Sequence, residues 1–207
     1  MSMSYETRLA AGIEFLRKLA CDSVAHSRRN LLEHLTGTHD LLRSWSASET
    51  VCLAGLFHSV YGTEGFRAKL AELPDRKVIA GIIGEESEAL AWLFGIRVNR
   101  SYSEQLRILN TTNALTFTLV NRLTGESIPC ARDDMLRLVD MDLANAFDQA
   151  QHIPEHYTEP KRAGLRSLLP LALPGAAATF AKLFGTPPAQ FNVLRSQAAG
   201  SGGAVQR

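Results

Sequence analysis

Two histidines and one aspartate stand on segments that are otherwise apolar. His34 shares a helix face with Leu31 and Leu35, and His58 follows the apolar run LAGLF. Asp140 falls on the apolar stripe of a third amphipathic segment. A buried imidazole or carboxylate needs partners, because burial without them costs a few kcal/mol. Two imidazole nitrogens and one carboxylate oxygen from three helices are a ligand set for a divalent metal ion.

Each of these residues also has an ordinary structural interpretation. A single histidine on an apolar face is more often a hydrogen-bonded core residue than a metal ligand, and a carbonyl or hydroxyl group could satisfy His58. Asp140 could pair with Arg137 or Arg122. Asp142 competes with Asp140 for the buried position, because it also has apolar neighbours. The residues alone leave the metal site and these alternatives open.

The elements that carry these residues are mainly helical. Hydrophobic residues recur every three or four positions over most of the chain. Ser27 and Ser48 have side chains that can cap helix N-termini. Threonine, valine and phenylalanine around TGE predict a β-hairpin at about 115–129. The periodicity predicts helices over 5–21, 28–45, 49 to about 62, two segments that meet at Gly84, 103–113, 131–150, and one or two between 161 and 184.

This pattern predicts an all-α fold with one small β-hairpin and a C-terminal helical extension. The predicted organisation is a helical domain over 1–153 and an extension over 154–195 that packs on its core. The final segment, 196–207, has the composition of a flexible tail.

Composition argues against several functional classes. The formal net charge of +1 provides no general attraction to nucleic acid or to an anionic membrane. Three scattered cysteines without a CxxC pair indicate neither a disulfide framework nor a cysteine zinc site. The N-terminus carries charges throughout and lacks the apolar core of a signal peptide. We therefore expect a cytoplasmic protein with a small-molecule substrate and with no nucleic-acid or membrane partner.

The order of the motifs resembles the HD-domain superfamily of metal-dependent phosphohydrolases, and most of all the alarmone (guanosine tetraphosphate) hydrolase domains of the stringent response. His34 and His58 are 24 residues apart, and LAGLFH resembles the family's apolar run before a His-Asp pair. IGEESEALAWL resembles the family's FG segment, and RLVDMDLAN resembles its last motif, with Asp140 in a metal-ligand position. The resemblance covers about residues 26–148. It implies an HD-like helical bundle with His34, His58 and Asp140 as metal ligands.

The chain departs from the family pattern in two places. Ser59 stands where the family has the aspartate of the His-Asp pair, which implies one metal ion rather than two. Gly62 and Thr63 occupy the positions of a catalytic acidic pair, so Glu64 is the nearest carboxylate. A one-metal site of this kind would leave positions open for water and substrate.

Residues and resemblance together predict a metal-dependent, hydrolase-like enzyme for a small anionic, phosphate-bearing molecule. A divalent ion (Mn, Fe or Zn) would lower the pKa of a bound water, with Glu64 or Tyr61 assisting proton transfer. Arg28, Arg29 and His26 would contact the substrate. One alternative is a non-haem iron oxygenase, which uses two histidines and one carboxylate. Another is a ligand-binding or interaction domain that has lost catalysis, which the missing His-Asp aspartate also fits.

Overall fold

A computed structural model describes residues 3–66 and 75–185. Helices dominate these residues, which confirms the predicted all-α class with a small β-hairpin. None of the described helices has the length and apolar content that a membrane span requires. The helices are α1 (Tyr5–Lys18), α2 (Leu31–Ser44), α3 (Glu49–Leu56), α4 (Arg76–Ile83), α5 (Glu85–Ile96), α6 (Asn99–Thr111), α7 (Arg132–His152), α8 (Glu159–Leu168) and α9 (Pro174–Phe184). The strands are β1 (Ala25–His26), β2 (Arg29–Asn30), β3 (Thr116–Val120) and β4 (Ser127–Ala131).

The start of α2 differs from the prediction, because a second small hairpin precedes it. Strands β1 and β2 pair through a turn in which Ser27 and Arg28 have φ angles of 45° and 65°. The helix then begins at Leu31 rather than at 28, and Asn30 caps it. The sequence did not predict this hairpin, because its turn residues are Ser-Arg and not the Asn-Gly or Asp-Gly pair that is typical of such turns.

The end of α3 also differs from the prediction. Ser48 caps this helix as expected, by accepting a hydrogen bond from the backbone N–H of Val51 at 3.4 Å. The helix stops at Leu56, so His58 lies in the turns that follow it. A turn rather than helical phase therefore sets the direction of this side chain.

A predicted helix break and the predicted β-hairpin are both present. Helices α4 and α5 meet at Gly84, whose φ of 93° lies in the region that favours glycine. Strands β3 and β4 form the predicted antiparallel hairpin, from the pair Thr116 and Ala131 to the pair Val120 and Ser127.

Helix α7 is the central element of the core. It packs against α2, α3, α5, α6 and α9. Its apolar stripe of Leu136, Leu143 and Phe147 is buried, and Asp140 is buried with it at 1% exposure. The side chain of Asp142 is 19% exposed, so Asp140 is the more buried of the two competing aspartates.

The segment after α7 returns to the core. Phe180 is buried, and its ring centroid lies 6.1 Å from that of Phe147 on α7. At the start of α9, the backbone N–H of Leu173 donates a hydrogen bond to Asp140 Oδ1 at 2.8 Å. The rest of the predicted extension, 186–195, and the predicted tail, 196–207, lie outside the described residues.

Gly175 provides a test of how α9 docks. A Cβ at this position would lie 2.6 Å from Cδ1 and 2.9 Å from Cα of Trp45, whose backbone cannot easily move. We expect Gly175→Ala to lower the free energy of unfolding by about 1–3 kcal/mol through overpacking. Urea denaturation followed by circular dichroism measures this change.

Gly164→Ala is the matched control. Gly164 lies in α8, and among the described residues no atom beyond its own stretch of helix is within 4 Å of the added Cβ. Alanine should leave the stability unchanged or raise it by up to about 1 kcal/mol, because it favours the helix. Equal effects of the two substitutions would contradict the close packing of α9 on Trp45.

Candidate functional site

Two of the three predicted ligands, His34 and His58, meet inside the protein. Their Nε2 atoms are 3.2 Å apart, and the two residues are 0% and 1% exposed. The first turn of α2 supplies His34, and the turn after α3 supplies His58. The two rings are nearly perpendicular, with an interplanar angle of 83°.

The other nitrogen of each ring faces a hydrogen-bond acceptor. His34 Nδ1 lies 2.5 Å from Asp148 Oδ2, and His58 Nδ1 lies 2.7 Å from the carbonyl oxygen of Gly55. Arg29 also pairs with Asp148, which favours the ionised carboxylate. An ionised carboxylate and a carbonyl only accept, so both Nδ1 atoms carry hydrogen. When the rings are neutral, both facing Nε2 atoms therefore carry lone pairs.

Burial favours the neutral form of both rings. Burial, followed by the facing His58 ring, lowers the pKa of His34 far below its usual value. Burial also lowers the pKa of His58, to about 4. Two facing lone pairs repel each other, and a divalent cation would bind both. The two nitrogens belong to two of the three ligands that the HD-domain resemblance implies.

Helix α7 turns a stripe of polar side chains toward this pair. Asp142, Asn145 and Asp148 are spaced three residues apart, which places them along one side of the helix. The Asn145 side chain is close enough to both imidazole rings to affect their pKa values, and Asp148 hydrogen-bonds to His34. The sequence prediction did not include Asn145 or Asp148. Their three-residue spacing was the available signal, but the apolar neighbours of Asp140 directed the prediction to another side of the helix.

Asp140, the third predicted ligand, does not complete a group with the two histidines. It lies five residues before Asn145, which is about 140° around the helix axis. Its Oδ1 accepts the hydrogen bond from Leu173 at the start of α9. Within residues 3–66 and 75–185, no three His, Cys, Asp or Glu side chains are grouped so that they could hold one ion.

A cavity of about 310 Å³ adjoins the histidine pair. His26, Ser59 and Asn145 form part of its wall, and each is a neighbour of the pair in sequence or in space. The His26 ring lies 4.3 Å from the ring of His34, measured between centroids. Neither His34 nor His58 lines the cavity itself, so a small molecule in it would meet the pair through these neighbours.

Arg97 places a buried guanidinium group in the cavity wall. Its Cζ lies 4.0 Å and 4.1 Å from the ring centroids of Phe94 and Tyr102. These rings flank the guanidinium, and one edge of it donates to Asp142. Nε and Nη1 have no hydrogen-bond partner among the described residues. The cavity wall thus holds a cation with unused donors, a group that favours oxygen-rich and anionic ligands.

The two predicted catalytic residues lie in different places. Glu64 lines the cavity, where its carboxylate accepts a hydrogen bond from the backbone N–H of Asn99 at 2.6 Å. The Tyr61 hydroxyl donates to Glu88 at 2.7 Å, and burial raises the pKa of Tyr61. Tyr61 is not part of the cavity wall. Of the two, Glu64 has the better position for proton transfer to a ligand.

The predicted substrate-binding residues also separate. His26 lines the cavity, and its Nε2 is buried without a hydrogen-bond partner among the described residues. Arg28 is exposed and forms an ion pair with a surface glutamate at 2.5 Å. Arg29 pairs with the buried carboxylate that also binds His34. Neither of these arginines lines the cavity, so the cation on its wall is Arg97.

Comparison with known proteins finds one match. The family model described as Domain of unknown function (DUF6817) matches residues 15–100, which include His34, His58 and Arg97 but not α7. No curated protein and no solved structure matches the chain. Over less than half of its length, the chain is therefore similar to a family whose description assigns no function.

The hydrogen bonds at Nδ1 predict the tautomers of the two rings. At pH 7 we expect both His34 and His58 in the metal-free protein to carry the proton on Nδ1, because each faces an acceptor. Long-range ¹H–¹⁵N correlation spectra of the imidazole nitrogens measure this directly. In Asp148→Asn the amide can donate as well as accept, so the proton of His34 should no longer be confined to Nδ1. His58 should keep its proton on Nδ1. A ring protonated on Nε2 in the wild-type protein would contradict this geometry.

Proposed function

We propose that this protein is a metal-dependent, hydrolase-like enzyme that acts on a small anionic molecule. The Nε2 atoms of His34 and His58 would hold one divalent ion beside the cavity. One observation carries the proposal: these atoms lie 3.2 Å apart while both Nδ1 atoms are bonded to acceptors.

The partners of the two rings support metal binding over simple burial. Histidines that bind metals usually donate their second N–H to a carboxylate or to a backbone carbonyl, which sets the tautomer and the ring orientation. His34 has the carboxylate of Asp148, and His58 has the carbonyl of Gly55. A histidine that only fills the core would not be expected to face the lone pair of a second imidazole with its own lone pair. The arrangement is thus the one expected around an ion.

The charges around the cavity support an anionic substrate. Both histidines are neutral ligands, so the ion would keep its positive charge toward the cavity. Arg97 adds unused N–H donors to the same wall, although Asp142 offsets its charge. A carboxylate or phosphate group suits both features. The cavity volume of about 310 Å³ is at the lower end of small-molecule sites, which favours a compact substrate.

The chain offers two groups for proton transfer on this cavity. When bound, a divalent ion lowers the pKa of a coordinated water and makes it a nucleophile at neutral pH. Glu64 would exchange a proton with that water or with the substrate from the cavity wall. His26 is the second group, because its Nε2 has no hydrogen-bond partner among the described residues.

A ligand-binding domain without metal is the second candidate. Two observations favour it: no group of three His, Cys, Asp or Glu ligands exists in the part of the chain that the structure describes, and Ser59 replaces the aspartate of the resembled family. The iron oxygenase alternative has less support, because its site needs a carboxylate beside the two histidines. Metal content separates the two leading candidates.

Metal uptake tests the proposed function. Protein purified without a metal-affinity column should contain about one divalent ion per chain by elemental analysis. His34→Gln and His58→Gln should each remove most of this metal, because one imidazole remains. Added Mn²⁺ or Zn²⁺ should raise the melting temperature of the wild type and not of either variant, since binding to the folded state stabilises it.

His156→Gln is the control for this experiment. His156 is exposed and lies in a turn after α7, so its replacement should leave metal content and melting unchanged. The proposal fails if the wild type takes up no metal, or if both pair variants fold and bind as much metal as the control.

A further inference from the structure

Asn145 is the residue that connects the histidine pair with the cavity. Its side chain is close enough to His34 and His58 to affect the pKa of both rings, and it lines the cavity. On α7 it lies three residues before Asp148, whose carboxylate is hydrogen-bonded to His34. No three His, Cys, Asp or Glu side chains of the described residues are grouped so that they could hold one ion, so a third protein ligand would be of another residue type. An asparagine side chain provides a carbonyl oxygen, which binds hard divalent ions.

We propose that Asn145 is the third protein ligand of the ion, through its side-chain oxygen. The centre would then consist of two imidazoles and one amide in place of two imidazoles and one carboxylate. This inference rests on the proposed metal site at His34 and His58 and deepens it.

Gln149 gives the Asn145 amide two usable orientations. In the structure, Gln149 Nε2 donates to Asn145 Oδ1 at 2.9 Å. If both amides turn over, the NH₂ group of Asn145 donates to the Gln149 oxygen, and the Asn145 oxygen is released to bind the ion. The exchange keeps the bond between the two amides. The Asn145 oxygen can therefore accept from Gln149 in the metal-free protein and serve as a ligand when the ion is bound.

The charges on α7 explain why an amide suits this position. Asp142 and Asp148 lie three residues before and after Asn145, and each already has an arginine partner. A third carboxylate between them would raise the repulsion in the metal-free protein. It would also neutralise part of the charge of the ion. Three neutral ligands leave that charge available to an anionic oxygen of the substrate.

Two substitutions at one position test the inference by metal affinity. Asn145→Leu preserves the approximate size and removes the oxygen. It should weaken Mn²⁺ binding by at least about tenfold, because even residues that only orient metal ligands contribute about 10–100-fold. Asn145→Asp should bind Mn²⁺ more tightly than the wild type and should melt at a lower temperature without metal. Isothermal titration calorimetry on chelator-stripped protein and thermal melts measure these effects.

Asn99→Leu is the matched control. Asn99 lines the same cavity from α6, and the hydrogen bond it gives to Glu64 comes from its backbone N–H. The same chemical change there should leave Mn²⁺ affinity within about twofold of the wild type, because the side chain is on another wall.

The outcomes separate this inference from the proposed function. A wild type that binds no Mn²⁺ overturns both. A wild type that binds Mn²⁺, together with a folded Asn145→Leu variant of equal affinity, overturns the role of Asn145 and leaves the histidine site standing. If Asn145→Leu does not fold, Asn145→Asp decides: tighter binding supports the ligand role, and equal or weaker binding overturns it.

Discussion

The hydrogen bonds at the two Nδ1 atoms are the constraint on which the site depends. A carboxylate on α7 and a backbone carbonyl at the end of α3 each accept a hydrogen bond from a buried ring. These bonds orient the rings and direct both Nε2 lone pairs to one point. One acceptor belongs to α7 and the other to α3, while His34 belongs to α2. The two Nε2 lone pairs therefore converge only when these three helices are packed together. The folding of the helical core and the formation of the site are one event.

The approach of α7 to α2 has a clear steric requirement. Gly37 lies on α2, and a Cβ at this position would overlap the carboxylate of Asp148. The glycine therefore lets Asp148 reach His34 from the neighbouring helix. Arg29, at the end of the β1–β2 hairpin, pairs with the same carboxylate from another side. A buried carboxylate is costly without such partners, and the arginine and the imidazole together satisfy it.

The β1–β2 hairpin adds local strain at the site. Ser27 and Arg28 both have positive φ angles, and such a conformation costs roughly 1–2 kcal/mol per residue for side chains other than glycine. The turn places His26 against the His34 ring and directs Arg29 to Asp148. Strained turns of this kind persist where surrounding contacts hold them, and they are common at functional sites. The contacts of His26 and Arg29 are the ones that offset the strain here.

The amino-acid sequence was enough to predict the helical class, the Ser48 cap of α3, the helix break at Gly84, the β3–β4 hairpin and the buried positions of His34 and His58. These features depend on local periodicity, on capping side chains and on the apolar surroundings of His34 and His58, all of which are visible along the chain. The side of α7 that faces the histidines follows only from the tertiary packing. Asp140 and Asn145 are five residues apart, so they lie on different sides of α7. Helical periodicity alone does not say which of these sides faces the histidines. The packing of α9 against Asp140, and of α2 against Asp148, settled that question.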